Sequence, residues 1–380
     1  MEMSASVWRL HARAIPVLLL SMDNLTHSFC GWILSRAGLD RYGPWVPATL
    51  IVTANLPDFE SLLPPYGDQA YYLVNHRGLS HSIIGLIGET LMVALMLVAA
   101  GRIFKNRIKN PPRAGPALLV AATGVCSHLL LDWFNTYGIR PWLPFDPTWY
   151  YGDLAFIIDP WMWLIPGVAI FLGSPLRRID MFFWATILTL TSGVVFWGAS
   201  RGIIPWGAVA VWVLVISAAI FSRIYRPASS PVVVGKLGIA AWAFYIFVLF
   251  TASRTSTIRA LSYYGTQPRP EKVLKTSSNP VPGTPWRYEI LLQTDSSIKQ
   301  YSVNLIGGTV TPTQSWDVKK CQEFLPQVAD TPEYNAWRVF ARHPVCSHGD
   351  GFLRLGDARY KTTSRGDWSE LRAPLPAAKP

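Results

Sequence analysis

Histidines and carboxylates recur together at the ends of apolar segments of this chain. Imidazole and carboxylate groups are ligands that divalent metals take in water-accessible sites. Because ionisable residues are costly at membrane depth, a hydrophobic chain that carries them there usually has a use for them. The pattern therefore predicts a metal site at a membrane face. The four motifs are Asp23-Asn-Leu-Thr-His27, Pro57-Asp58-Phe-Glu60, His76-Arg-Gly-Leu-Ser-His81 and His128-Leu-Leu-Leu-Asp132.

The spacing within two of these motifs favours a shared site. His128 and Asp132 are four residues apart, so on a helix they lie on one face and can reach one ion. His76 and His81 bracket a junction between a loop and a helix, which Ser80 is expected to cap. Such a junction can direct two imidazoles at one point, which a regular helix would do poorly at this spacing.

Each candidate residue is assigned an expected role. Glu60 or Asp153 is expected to act as a general base. Arg77 is expected to neutralise a phosphate or carboxylate of the substrate. Asp23 is equally well explained as the N-cap of a helix. The predicted metal ligands are His27, Asp58, His76, His81, His128 and Asp132.

The composition indicates a membrane protein. Half of the 380 residues are hydrophobic and the mean hydropathy is positive. A helix that crosses a bilayer needs about 20 mostly apolar residues. Six stretches meet this requirement: about 81–100, 115–134, 154–173, 181–199, 203–222 and 232–252.

The distribution of basic residues predicts the orientation. The net charge of +11 is concentrated in alternate loops, as the positive-inside rule expects for the cytoplasmic side. This topology places every candidate ligand and the C-terminal region on the opposite, periplasmic face. It also accounts for much of the positive charge, so nucleic-acid binding is not expected. The basic loop residues are Arg102, Lys105, Arg107, Lys109 and Arg113, then Arg177 and Arg178, then Arg223 and Arg226.

The N-terminal region has two features of its own. Residues 1–21 are either a leader or a misassigned start, with Met22 as the favoured initiator. Residues 24–39 and 45–57 are expected to form a short helical hairpin, each arm covering only about 20–24 Å. This hairpin would bring His27 and the residues that follow its second arm to the same face.

The C-terminal region differs in composition from the rest. Residues 254–285 read as a linker, and 286–380 as a small β-rich domain outside the membrane. Cys321 and Cys346 in this domain can form a disulfide if the domain is extracytoplasmic. Its two histidines are expected to be ordinary surface residues: His343 and His348.

These features together predict the fold class. We expect an all-α polytopic membrane domain over residues 22–253, with about six spans and the short N-terminal hairpin. The metal site is expected within residues 22–160. A linker and the β-rich extramembrane domain complete the chain.

The ordered motifs resemble a known family. Met22-Asp-Asn-Leu-Thr-His27, Pro57-Asp58, His76-Arg-Gly-Leu-Ser-His81-Ser82 and His128-Leu-Leu-Leu-Asp132, followed by Asn135-Thr-Tyr-Gly138 and Pro144-Phe145, are similar to those of the YdjM-like inner-membrane family. The resemblance covers roughly residues 22–160. It implies a bacterial inner-membrane protein with metal-dependent hydrolase activity, but it implies no particular substrate.

The leading hypothesis is therefore a membrane-bound, metal-dependent hydrolase with one or two divalent ions, zinc being the expected metal. Its location suggests a lipid or lipid-linked phosphoester as substrate, with the bilayer as the main partner. A metal or ion transporter is the alternative, although transport sites usually lie near the midplane. A non-enzymatic metal-binding or assembly protein is the third possibility.

Overall fold

The computed structural model describes residues 24–62, 68–226, 229–320, 322–360 and 368–375. The predicted leader 1–21, Asp23 and Cys321 lie outside the described residues. The described residues form ten α-helices and seven β-strands. Nine of these helices precede the first strand, and the tenth lies between the fourth and fifth strands. The helices are α1 Asn24–Arg36, α2 Val46–Thr53, α3 Gln69–Asn75, α4 Ile83–Ile103, α5 Ala114–Phe134, α6 Pro160–Leu172, α7 Arg178–Ser200, α8 Trp206–Tyr225, α9 Pro231–Gly265 and α10 Pro332–Phe340.

Five of the described helices are long and apolar enough to cross a membrane: α4, α5, α7, α8 and α9. Their most apolar windows have mean hydropathies between 1.6 and 2.3, and most of their side chains face outward. Apolar side chains on the outside of a helical bundle match a lipid environment. The prediction of a helical membrane domain is therefore confirmed.

The third predicted span, 154–173, differs from expectation. Its helix, α6, has 13 residues and begins at Pro160. Proline suits the first turn of a helix, and the Asp159 side chain caps it by accepting a hydrogen bond from Trp161 N at 2.9 Å. A helix of this length covers about 20 Å, which is short of a hydrocarbon core of about 30 Å.

The predicted N-terminal hairpin is present as α1 and α2. A short 3₁₀ helix, Leu39–Tyr42, joins them. Gly31 lets the two helices approach closely, since a Cβ there would lie 2.5 Å from the Leu50 carbonyl oxygen. Both α1 and α2 are short, and together they hold the residues before Asn55 against α5.

The C-terminal region is an antiparallel β domain. One sheet has the order β1-β2-β3-β4 and the other β5-β6-β7. Strand β1 and the end of α9 both fall within 254–285, so the prediction of a linker there is wrong for most of that segment. The strands are β1 Lys275–Val281, β2 Thr284–Gln293, β3 Ser297–Asn304, β4 Thr309–Asp317, β5 Pro344–Gly349, β6 Phe352–Asp357 and β7 Leu371–Pro374.

The β domain packs directly onto the helical region. Tyr288 of β2 donates a hydrogen bond to the Leu249 carbonyl of α9 at 3.2 Å. Tyr72 of α3 and Tyr137 after α5 belong to the same hydrophobic core as Phe340 of α10. The β domain thus rests against the segments that surround the candidate ligands.

Two expectations about this domain have different outcomes. Cys346 is disulfide-bonded, whereas Cys30 and Cys126 are free. His343 is completely buried and its Nδ1 lies 3.0 Å from Gln293 Oε1, so its prediction as a surface residue is wrong. His348 is exposed, as expected.

Candidate metal centre

Three separate segments deliver four predicted ligands to one point. Asp58 lies on a 3₁₀ helix, Pro57–Leu62, that follows α2. His81 ends another 3₁₀ helix immediately before α4, and His128 and Asp132 lie one turn apart near the end of α5. One ligand atom from each of these four residues lies within 4.8 Å of the other three, and all four residues are buried.

Five of the six separations between these atoms are close to those expected in a tetrahedral site. His81 Nε2 lies 3.1 Å from Asp132 Oδ2, 3.3 Å from Asp58 Oδ1 and 3.1 Å from His128 Nε2. His128 Nε2 lies 3.3 Å from Asp132 Oδ2 and 3.7 Å from Asp58 Oδ1. Tetrahedral zinc with ligand bonds near 2.0–2.1 Å would separate its ligand atoms by about 3.3 Å.

Several polar atoms of the cluster lack ordinary partners. Among the described residues, both oxygens of Asp58 and Oδ2 of Asp132 are buried without a well-formed hydrogen bond. Buried carboxylate oxygens in this state are costly unless a cation compensates them. Two carboxylates and two imidazoles are also a donor set that divalent transition metals accept. The residues present therefore fit a divalent cation.

Neighbouring groups fix the orientation of both imidazoles. His128 Nδ1 lies 2.8 Å from the Ala54 carbonyl oxygen, which can only accept, so Nδ1 carries the proton and Nε2 presents its lone pair to the cluster. Gly124 lies one turn earlier in α5, at a position where a Cβ would overlap the Thr53 side chain. The close approach of α5 to α2 makes the bond to Ala54 possible.

The second imidazole is oriented by a polar chain of three residues. Ser80 Oγ lies 2.8 Å from His81 Nδ1 and donates a short hydrogen bond to Glu60 Oε2. Such outer partners set the tautomer of a ligating histidine and raise its basicity. Ser80 was expected to cap α4, but Ser82 does so by accepting from Gly85 N. The sequence carried no signal for the actual role of Ser80.

The electrostatics of the cluster favour a positive charge at its centre. Burial opposes the charged form of His81, yet the carboxylates of Asp132 and Asp58 outweigh it and raise the pKa of His81 to about 10. Burial would raise the pKa of the Glu60 carboxyl, but the hydrogen bond from His76 and the charge of His81 hold that pKa below its usual value. Carboxylates that favour a proton here also favour a metal cation.

Arg77 does not face a substrate pocket. Its side chain is fully buried, and its backbone adopts a positive φ of 56°. Nη2 donates to Asp132 Oδ1 at 2.8 Å, while Nη1 donates to Asn135 Oδ1 and to the carbonyls of Asp132 and Gly138 at 3.0–3.1 Å. The prediction that Arg77 binds a substrate anion is therefore not supported, because its guanidinium holds Asp132 and the chain after α5.

His27 and His76 lie beside the cluster, outside the group of four. The His27 ring stacks on His128 at 4.0 Å, with Nε2 3.6 Å from Asp132 Oδ1. His76 Nδ1 lies 3.3 Å from Glu60 Oε1, and its ring stacks on Tyr72. Both are fully buried. Their roles as ligands remain predictions.

Asp153 is the one predicted site residue that the structure places elsewhere. Its Oδ1 accepts a hydrogen bond from Arg342 Nη1 at 2.8 Å, and its Oδ2 accepts from Ser278 N at 3.3 Å. Both partners belong to the C-terminal region. Asp153 is thus a contact between the helical region and the β domain, whereas Glu60 lies beside the ligands.

Comparison with known families agrees with the motifs. A family described as YdjM inner membrane protein matches residues 22–226, which is more than half of the chain. The chain belongs to the YdjM inner membrane protein family. The matched region of this YdjM family member includes all four clustered residues and ends before the β domain. No curated protein and no solved structure matches the chain.

Membership in the YdjM family and the five apolar helices agree on the location. The family description names the inner membrane, and helices of this length and hydropathy are those that span it. The resemblance seen in the sequence over 22–160 is confirmed and extends further, to residue 226. Within the described residues of this YdjM family member, the buried group of Asp58, His81, His128 and Asp132 can hold a metal ion.

Proposed function

We propose that this protein is a membrane-bound, metal-dependent hydrolase. The observation that carries the proposal is the buried group of two imidazoles and two carboxylates, whose ligand atoms all lie within 4.8 Å of one another. A bound divalent cation would lower the pKa of a water molecule and polarise the scissile group of a substrate. Zinc suits a set of nitrogen and oxygen donors at these separations. The four residues that would hold it are Asp58, His81, His128 and Asp132.

Glu60 is the residue that we assign as proton acceptor. Its carboxylate lies beside the group of four without belonging to it, with Oε1 3.8 Å from His81 Nδ1. Its side chain keeps about 12% of its surface accessible, whereas Asp132 has none. Asp153, the other expected base, is engaged by Arg342. Glu60 therefore combines proximity to the ligands with access to solvent.

We further propose a lipid or lipid-linked phosphoester as substrate. Two segments that carry ligands also expose apolar side chains, since Leu62 is 66% exposed and Leu79 56%, and Phe145 in the loop after α5 is 83% exposed. Apolar side chains next to the end of a spanning helix are expected to meet the bilayer interface. A substrate that arrives from the bilayer would then approach the cluster directly. On the predicted topology this face is periplasmic.

The position of the cluster argues against transport. Its residues lie where α4 begins and where α5 ends, close to a face of the membrane. Transport sites are usually found near the midplane, at interrupted helices. The alternative of an ion carrier therefore has less support than hydrolysis.

Metal analysis tests the site directly. The protein is purified after growth in zinc, and metal per chain is measured by mass spectrometry for wild type, His81→Ala, His128→Ala and His348→Ala. His348 is exposed on the β domain and serves as the matched control. We expect about one ion in wild type and control and little in the other two. Equal metal in all four proteins would refute the site.

Hydrolysis is tested separately with the metal-loaded protein. Release of phosphate is followed from long-chain lipid phosphoesters in mixed micelles and from the same headgroups without acyl chains. We expect turnover of the lipid forms by wild type, and loss of turnover in Glu60→Gln even when the metal is supplied at a concentration that saturates the site. Metal retention with no turnover of any phosphoester would favour the non-enzymatic alternative.

A further inference from the structure

A cavity lies in the membrane region, and none of the four clustered residues lines it. It is a groove between α6, α7 and α8 with a volume of about 330 Å³. Its lining is almost wholly apolar, and among its described residues Arg223 is the one charged group. The principal aromatic and aliphatic lining residues are Trp163, Phe171, Trp184, Trp212, Ile216 and Ile220.

The length of the groove matches one half of a bilayer. Its lining extends along α7 from Met181 to Thr191 and along α8 from Trp212 to Ile224. Ten to twelve residues of helix cover about 15–18 Å. The hydrocarbon core of a bilayer is about 30 Å thick, so one leaflet occupies about 15 Å. The groove therefore has the length of an acyl chain of a single leaflet.

One end of the groove is strongly basic. Arg223 lies in the last turn of α8, and Arg226 follows it directly. Arg177 and Arg178 begin α7, next to the lining residue Leu176, and the Arg177 side chain is 72% exposed. The one acidic residue in this group, Asp180, is paired with Arg177 at 2.8 Å. Basic pockets between spanning helices bind anionic lipid headgroups.

Arg223 is positioned to present its charge at the groove. Nη2 donates to the Ser174 carbonyl at 2.9 Å and Nη1 to the Arg226 carbonyl at 3.3 Å. Among the described residues its Nε is buried and lacks a hydrogen-bond partner, and no carboxylate neutralises the guanidinium. The backbone contacts hold the side chain in place, and its positive charge is left for an external anion.

The basic end lies at the membrane face opposite the metal ligands. Residues just before α6 adjoin the ligand end of α5, since Leu154 N donates to the Phe134 carbonyl at 2.7 Å. Helix α6 runs away from this end of the helical region, so α7 begins and α8 ends on the side away from the ligands. A lipid held there cannot place its headgroup at the metal cluster. The groove is thus separate from the proposed substrate site.

We propose that the groove is a binding site for one anionic phospholipid of the opposite leaflet. One acyl chain would lie along α7 and α8, and the phosphate would lie among the arginines. Two observations support this assignment. The groove is about as long as one leaflet is thick, and the arginines at its end have the charge that would attract an anionic headgroup. It does not depend on the hydrolase proposal.

Native mass spectrometry of the full chain in detergent tests the proposal. Phosphatidylglycerol and phosphatidylcholine with identical acyl chains are titrated separately. We expect one phosphatidylglycerol to bind tightly, and Arg223→Gln together with Arg226→Gln to weaken it by about fivefold for each arginine. Arg107→Gln, in another basic loop and exposed, is the charge control and should bind as wild type.

Substitutions in the lining test the acyl-chain part. Ala185→Trp would fill the groove, Ala185→Leu is a milder variant, and Leu190→Trp places a tryptophan on the outside of α7. Both Ala185 variants should lose phosphatidylglycerol binding while Leu190→Trp keeps it. Equal binding of the two lipids, unchanged binding in both Ala185 variants, or a dimer that excludes lipid would overturn the proposal.

Discussion

Arg77 and Asp132 form a buried ion pair in which the carboxylate serves two neighbours at once. Asp132 Oδ1 accepts from Arg77 Nη2 at 2.8 Å, while Oδ2 faces His81 and His128 at 3.1 and 3.3 Å. Both members of the pair have no exposed side-chain surface. One oxygen of Asp132 therefore faces the position of the proposed metal, while the other is held by the Arg77 guanidinium.

Removing Arg77 should destabilise the protein and empty the site. In Arg77→Met the Asp132 charge stays buried without its partner, which typically costs about 3–5 kcal/mol. We expect a lower midpoint of thermal unfolding in detergent and a lower metal content. Arg354→Met, which removes an exposed partner of Asp350, should cost less than about 1 kcal/mol. Similar effects of the two substitutions would contradict the role of Arg77.

The chain from Glu60 through Ser80 to His81 should tune metal affinity. Loss of such an outer partner usually weakens metal binding by about 10–100-fold. Ser80→Ala should raise the metal dissociation constant into this range, measured by competition with a chelator. Glu323→Gln changes an exposed carboxylate of the C-terminal region and should leave it unchanged. A dissociation constant for Ser80→Ala equal to that of wild type would show that Ser80 does not orient His81.

Asp153 should matter for attachment of the β domain and not for chemistry. Asp153→Asn weakens a charged hydrogen bond with Arg342 and should destabilise the protein by about 1–3 kcal/mol. Loss of a general base would instead lower turnover by about 10²–10⁴-fold. We expect metal content and turnover near wild type, with faster proteolysis between the helical region and the β domain. A large loss of turnover in a folded Asp153→Asn protein would restore it as the base.

Stability of the β domain should fall in mild acid because of His343. Burial lowers the pKa of His343 to about 3 and outweighs the opposing charge of Asp357. An unfolded histidine titrates near 6.5, so below that pH only the unfolded chain takes up the proton. The stabilisation is complete above pH 6.5 and is lost progressively as pH falls towards 3. Denaturant unfolding between pH 4.5 and 7.5 should show this slope in wild type and a shallower one in His343→Gln, with His348→Ala unchanged.

Four of the six ligands predicted from the sequence lie together in the structure, and the signal that identified them is local. His128 and Asp132 share a helical face by spacing alone, and Asp58 and His81 stand at the ends of apolar runs where a charged group has few other uses. Hydropathy likewise predicted the five helices that are long and apolar enough to cross a membrane. Hydropathy overestimated the length of α6, because the Asp159 cap and Pro160 start that helix later than the apolar composition suggested.

Contacts between distant residues were not predictable in this way. From the sequence, Arg77 is expected to be a cation that is free to bind a substrate. Its hydrogen bonds to Asp132 and Asn135 show instead that its side chain is buried and has a structural role. From the sequence, Asp153 is a second candidate for the general base. In the structure its carboxylate accepts a hydrogen bond from Arg342, which lies 189 residues away in the sequence. His343 reads as a surface residue in a polar tail, although the sheets enclose it. Each depends on which segments pack together, which no spacing encodes.

The sequence by itself determined the membrane class, the family and the types of residue that can ligate a metal. These follow from composition and periodicity, which act over a few helical turns. Only the tertiary structure decided that four of six candidates converge, that Glu60 lies beside them and that Asp153 does not. Convergence of Asp58, His81 and α5 depends on the close packing of α2 against α5, where side-chain volume and backbone hydrogen bonds from separate segments must fit at once.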